Sequence, residues 1–80
     1  ANLKYPEAAR GEGVEGTVIV VFVINTDGSV QDVEILRGVG SGLDEEALRV
    51  VQNSPEWKAG EQRGRKVRTR MRLPIRFKLS

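Results

Sequence analysis

The chain has 80 residues, 39% of them hydrophobic and 30% charged, with no cysteine and no histidine. That is one small core, and it excludes disorder as the main state, disulfides, a histidine-based catalytic triad and a zinc site with its usual ligands. The net charge of +2 hides a division: residues 1–57 carry four bases against ten acids, and residues 58–80 carry nine bases against Glu61.

A basic C-terminal element of this kind either serves an anionic partner or complements the acidic part of its own fold. The longest apolar run, residues 18–24, is far below the roughly 18 residues that a membrane span needs. The chain begins at Ala1 without an initiating Met and without a signal pattern, so it is expected to be part of a longer protein.

In chain order, Tyr5-Pro6-Glu7-Ala8-Ala9-Arg10 places Pro at a helix start and an acid in the first turn, and Gly11 and Gly13 are expected to end that short helix. Residues 17–24, Thr-Val-Ile-Val-Val-Phe-Val-Ile, are β-branched or apolar throughout and read as a central strand apolar on both faces. Asn25-Thr26-Asp27-Gly28-Ser29 supplies the positive φ of a tight turn. Residues 30–37 then return antiparallel, with Val33 and Ile35 on one face and Asp32 and Glu34 on the other, a half-polar pattern that suits an edge. A glycine-rich link leads to a helix carrying Leu43, Ala47, Val50 and Val51 at helical spacing. Ser41 with Asp44 resembles its capping box, and Pro55 is expected to end it near Asn53. Residues 56–65 read as a loop, pinned to the core by Trp57.

The last element alternates without interruption. Val67, Thr69, Met71, Leu73, Ile75, Phe77 and Leu79 interleave with Lys66, Arg68, Arg70, Arg72, Pro74, Arg76 and Lys78, which predicts one strand over residues 66–79. Proline cannot donate a ladder bond and belongs on an edge. If Pro74 faces the free side, so do the main chains of Arg70, Arg72, Arg76 and Lys78. Such an edge accepts an extended peptide as a further strand, with arginines for selection, or else it is a solvated, charged margin that resists aggregation.

Other motifs fail on context. Gly11-Glu12-Gly13-Val14-Glu15-Gly16 matches a dinucleotide fingerprint in letters, but a strand follows it where a helix is required. Gly38-Val39-Gly40-Ser41-Gly42 does precede a helix, whose first turn is filled by Asp44, Glu45 and Glu46 where a phosphate would sit. Asn25, Asp27, Gly28 and Glu34 fall at calcium-loop spacing between strands instead of helices. No catalytic residue, metal ligand or cofactor is expected, and the basic face lacks the interleaved aromatics of a nucleic-acid sheet.

The ordered set Tyr5-Pro6-Glu7-Ala8-Ala9, Gly16-Thr17-Val18, Asp27-Gly28, Leu43-Asp44 with Ala47-Leu48, Ser54-Pro55 with Trp57, Gly64, and Leu73-Pro74-Ile75 with Phe77 resembles the C-terminal domain of TonB, the periplasmic energy-transducing protein of Gram-negative bacteria. The resemblance runs from residue 4 to nearly the end. It implies an α+β fold, a three-stranded antiparallel sheet with two helices packed on one face. It also implies a periplasmic module anchored to the inner membrane through an N-terminal helix outside this sequence and driven there by ExbB and ExbD. The implied partner is the TonB box, an extended segment of outer-membrane transporters, paired with the last strand. The expected peptide-binding edge is then Arg68, Arg70, Met71, Arg72, Leu73, Pro74, Ile75, Arg76 and Lys78, with Lys4, Tyr5 and Pro6 as an N-terminal contact. This chain has Lys4 where the family's best-known form has Gln, and Ala59 where Pro is usual. The alternative from the residues is a basic scaffold domain binding an anionic polymer, cell wall or nucleic acid, and the same edge could pair with its own copy as a homodimer.

Overall fold

The computed structural model describes residues 3–54 and 57–79. Pro55, expected to end the second helix, lies outside them. The elements in order are α1 (Glu7–Glu12), β1 (Gly16–Ile24), β2 (Val30–Arg37), α2 (Leu43–Asn53), β3 (Gly60–Gln62), β4 (Arg65–Val67) and β5 (Thr69–Phe77). β1 is central in a three-stranded sheet of order β2-β1-β5, antiparallel on both sides. β3 and β4 form a separate two-stranded ribbon.

β1 alternates strictly. Val18, Val20, Phe22 and Ile24 are buried, while Ile19, Val21 and Val23 on the other face are half-buried. The buried set packs with Phe77 of β5, with Leu43, Ala47 and Val51 of α2 and with Ala9 of α1 in one cluster. Both helices therefore cover the same face of the sheet, and among the described residues no helix covers the opposite face.

Local chemistry sets the boundaries. α1 runs through Gly11 and ends at Gly13, which is left-handed (φ 69°). There the amide of Val14 donates to Ala9 O at 2.8 Å and that of Gly13 to Arg10 O at 3.2 Å, the paired pattern that closes many helices. The β1–β2 turn closes through Gly28 N–H to Asn25 O, 2.9 Å, with Gly28 at φ 87°, where a side chain would be strained.

Ser41 does not cap α2. It is left-handed itself (φ 53°), and the helix starts one residue later than a capping box would need, with Gly42 as N-cap and no side-chain bond. The Asp44 carboxylate instead turns back to accept from Val39 N (2.8 Å) and Gly40 N (3.1 Å), which fastens the preceding loop.

Residues 56–65 are not simply a loop, and residues 66–79 are not one strand. β3 pairs with β4 around Arg63 and Gly64, both at positive φ, the conformation of a two-residue hairpin turn. The break falls at Arg68 because β1 ends at Ile24, opposite Thr69. Beyond that point β1 offers no backbone to pair with, and the alternating sequence takes β3 as its partner instead. The ribbon extends past the sheet, consistent with a molecule 48 Å long and about 20 Å in its other dimensions. Trp57 holds its base: the indole packs on Phe22 (centroids 5.1 Å apart) and its amide donates to Gly28 O at 3.0 Å.

Val20 and Val21 are neighbours on opposite faces, and the same substitution should separate them. Val20→Thr places a hydroxyl in a fully buried site and is expected to cost about 1–3 kcal/mol. Val21→Thr is expected to stay within about 0.5 kcal/mol of the parent, both read from urea unfolding at low protein concentration.

Candidate functional site

β5 has one neighbour, so its other side is an open edge. Nine consecutive pairs, Gly16↔Phe77 through Ile24↔Thr69, join it to β1 without a register shift. Opposed residues in an antiparallel ladder exchange either two main-chain bonds or none. Pro74 stands opposite Ile19 and has no N–H, so this is a pair that exchanges none, and the Pro74 carbonyl faces away from β1. By parity the N–H and C=O groups of Arg70, Arg72 and Arg76 face the same open side, while those of Met71, Leu73 and Ile75 bind β1.

The same parity sorts side chains. Arg70, Arg72, Pro74 and Arg76 are exposed, whereas Met71, Leu73 and Ile75 are half-buried on the helix-covered face. Their outer flank has no strand beside it, leaving an apolar margin under the edge. Of the other expected edge residues, Arg68 lies in the break before β5 and Lys78 follows its end, so the regular edge is shorter at both ends than residues 68–78.

The sheet's second edge is different. Pairing of β2 with β1 shifts register between Ile19 and Val20 and again between Val21 and Val23, and Asp32 within the second irregularity is left-handed (φ 54°). Bulges of this kind twist a strand and interrupt the row of free groups that another chain could pair with.

The N-terminal segment meets the sheet at the C-terminal end of β5. The Tyr5 ring stands edge-on to Phe77, centroids 5.8 Å apart and planes at 86°, and its hydroxyl donates to Val14 O. Burial raises the Tyr5 hydroxyl pKa above its usual value, with the Glu15 charge adding to the shift. The Lys4 amide donates to Glu46 Oε2 at 2.5 Å. Pro6 packs against Gly42, where an added methyl carbon would lie 3.2 Å from the Pro6 ring. Lys4, Tyr5 and Pro6 thus have roles within the domain, with the Lys4 side chain exposed.

Glu46, read in the sequence only as one of three acids in the first turn of the helix, sits three residues after Leu43 on the apolar face of α2. It is 9% exposed and accepts from Arg49 Nε and Nη2, both at 2.8 Å, as well as from Lys4. The Arg49 hydrogen bond holds its carboxyl below the usual range against the opposing effect of burial. Asp44, Glu45 and Glu46 point three ways, to the loop amides, to solvent and to the Lys4–Arg49 clasp, so they do not form a catalytic pair. Among the described residues no three His, Cys, Asp or Glu side chains could hold a metal ion, and no helix is long and apolar enough to cross a membrane.

Residues 1–79 match the family described as Gram-negative bacterial TonB protein C-terminal. The chain belongs to the TonB C-terminal domain family. TonB of Vibrio cholerae serotype O1 is 34% identical over 79 residues, 95% of this chain and 31% of that protein. TonB of Pseudomonas aeruginosa is 35% identical over 54 residues, 68% of this chain and 15% of that protein. Two solution structures share the fold: the Pseudomonas aeruginosa TonB CTD (TM-score 0.72, 26% identity, 99% of this chain and 80% of that one) and the Helicobacter pylori TonB-CTD (TM-score 0.70, 28% identity, 98% and 70%). The chain spans about a third or less of the TonB proteins it matches. The α+β architecture that the resemblance implied, two helices on one face of a three-stranded antiparallel sheet, is that of these TonB domains; the β3–β4 ribbon was not among the implied elements.

The Glu46 clasp has a pH signature. A carboxyl whose pKa is lower folded than unfolded stabilises above its unfolded value, near 4.5, and that contribution is lost as pH falls through the folded value. Stability should therefore drop below about pH 4.5, and Glu46→Gln should flatten that part of the profile. Glu46→Ala should cost about 1–3 kcal/mol at pH 7 by removing the carboxylate that accepts from the Lys4 amide and from Arg49.

Proposed function

We propose that the domain captures an extended peptide as a fourth strand on the open edge of β5, and that this peptide is the TonB box of an outer-membrane transporter. The observation that carries the reading is the contrast between the edges: β5 is paired in unbroken register with its outward groups free, and β2 is bulged twice. Strand addition needs a regular row of unpaired main-chain groups, and of the two edges of the three-stranded sheet the β5 edge is the one paired without a register shift.

An added strand would cover the outer flank of Met71, Leu73 and Ile75, favouring apolar residues at alternate positions. On the other face it would meet Arg70, Arg72 and Arg76, favouring acidic ones. Membership in the TonB family supports the wider role, in which the domain is the periplasmic end of an energy transducer anchored in the inner membrane and driven by ExbB and ExbD. Force applied along the paired strands loads their hydrogen bonds in shear, so a modest interface can hold briefly under tension. The half-buried place of Tyr5 and Pro6 near the end of β5 suits a supporting contact at the end of the same edge.

The test exploits parity. Arg72→Pro removes an outward N–H and leaves the β1–β5 ladder intact, so the domain should stay folded and bind a TonB-box peptide roughly two- to tenfold more weakly, the worth of one main-chain bond. Leu73→Pro breaks a bond to β1 and should destabilise the fold itself. Amide-shift titration at low and high salt reads the site, with salt-tolerant changes expected along Arg70, Arg72 and Arg76. Unchanged binding by a folded Arg72→Pro domain would overturn the edge assignment. A steep loss of affinity with salt would favour an anionic polymer as the partner.

A further inference from the structure

The break at Arg68 is one-sided. Along the inner side of the chain the partner changes there: β1 ends with Ile24 opposite Thr69, and β3 begins with Gly60 opposite Val67, both antiparallel to residues 65–77. The two partners abut. Gly60 stands so close to Thr69 that a side chain on it would overlap the Thr69 hydroxyl, and that hydroxyl spans the break by donating to Val67 O at 3.3 Å.

The outer side keeps its period through the break. In a two-residue hairpin the residues that flank the turn exchange both main-chain bonds, here Gln62 and Arg65. The next pair, Glu61 and Lys66, exchanges none, so the Lys66 N–H and C=O point away from β3. On β5 the even-numbered residues point away from β1 by the same rule, as Pro74 requires. Lys66 and Arg70 thus turn their main chains to one side. Arg68 between them falls in step, being exposed while Val67 and Thr69 are half-buried.

We infer that the peptide-capturing edge does not stop with β5 but runs on along the ribbon through Arg68 to Lys66, and that it receives a longer extended segment, acidic where it passes the ribbon. The inference rests on strand addition at β5 and says how far the added strand reaches. At about 3.3 Å per residue the row from Arg70 to Arg76 is roughly 20 Å long, and the row from Lys66 to Arg76 is roughly 33 Å, room for about four more residues.

The two parts of this edge differ in chemistry. Beside β5 the margin is apolar, with Met71, Leu73 and Ile75 packed against the core. Beside the ribbon Val67 is half-buried outside that core, and Arg65, Lys66 and Arg68 are exposed. None of these three cations is in ion-pair contact with an acid among the described residues, although Glu61 opposes Lys66. Burial therefore selects apolar residues along β5, and charge selects along the ribbon. The segment that fits has two parts, alternating apolar residues on the sheet and acids at alternate positions beyond it.

The experiment compares a TonB-box peptide of about seven residues, the span of the β5 row, with the same peptide lengthened by Glu-Thr-Glu-Thr at either end. Calorimetric titration at low and high salt gives the affinities, and amide exchange gives the extent of pairing. The extension that runs toward the ribbon should bind about tenfold more tightly than the short peptide, from one or two further main-chain bonds, and should keep most of that gain at high salt. It should slow exchange of the Lys66 and Arg68 amides, which the short peptide should leave fast. Arg68 has no partner in either ladder, so Arg68→Pro should fold, bind the short peptide nearly as wild type does and lose the gain. Arg68→Ala, which keeps the N–H, should retain part of it. No gain from either extension, or an equal gain in the two variants, would overturn the proposal and leave capture by β5 in place. If Arg68→Pro does not fold, the wild-type Lys66 amide decides, and fast exchange with every peptide would overturn the proposal. A short peptide that does not bind the wild-type domain would remove strand addition itself, and the extension with it.

Discussion

The structure depends on the nine-residue ladder between β1 and β5. β1 is apolar on both faces and lies in the middle of the sheet, with a long strand on each side. β5 pairs with it without a slip, and because strands have a period of two, one fixed register decides three things together. It puts Val18, Val20, Phe22, Ile24 and Phe77 on one face as the core. It puts the arginines of β5 on the other face, and it turns Pro74 and the amides of every second residue toward the outside. A one-residue shift would bury the arginines, expose the core and ask Pro74 for a bond it cannot make.

The two edges of this small sheet then differ in kind. β2 pairs irregularly, and its bulges spoil it as a template for another strand. β5 is regular where a partner would lie, and its defences against unwanted pairing are a proline and a run of positive charge. Neither defence would exclude a peptide with acids at alternate positions, so under the proposed strand addition the features that keep the domain from aggregating would also select its partner.

Much of this was legible in the residues because it rests on local alternation. Residues 17–24 could only be a buried strand, Asp27-Gly28 marked the turn, and Leu43, Ala47, Val50 and Val51 marked the face of α2. Pro74 pointed to an edge before any pairing was known. What could not be read depended on where other strands end. The alternation of residues 66–79 continues past Arg68, and nothing in it records that β1 stops at Ile24, so the change of partner from β1 to β3 was invisible. The bulges of β2 and the left-handed Asp32 arise from fitting β2 to β1, not from β2 itself. Ser41 failed as a cap because Gly40, Ser41 and Gly42 all turn left-handed and delay the helix by one residue. Glu46 was visible as an acid on an apolar face, but its partner, the amide of Lys4, is remote in sequence.

The most direct test of the account is residue-resolved amide hydrogen exchange along β5, with and without a TonB-box peptide. In the free domain the amides of Met71, Leu73 and Ile75 should exchange slowly, because they bond to β1, and those of Arg70, Arg72 and Arg76 should exchange fast. Peptide should slow the arginine set and leave the other set in place. Slow exchange of the three arginine amides in the free domain, or no change in them at saturating peptide, would contradict the claim that β5 holds an open edge built to receive a strand.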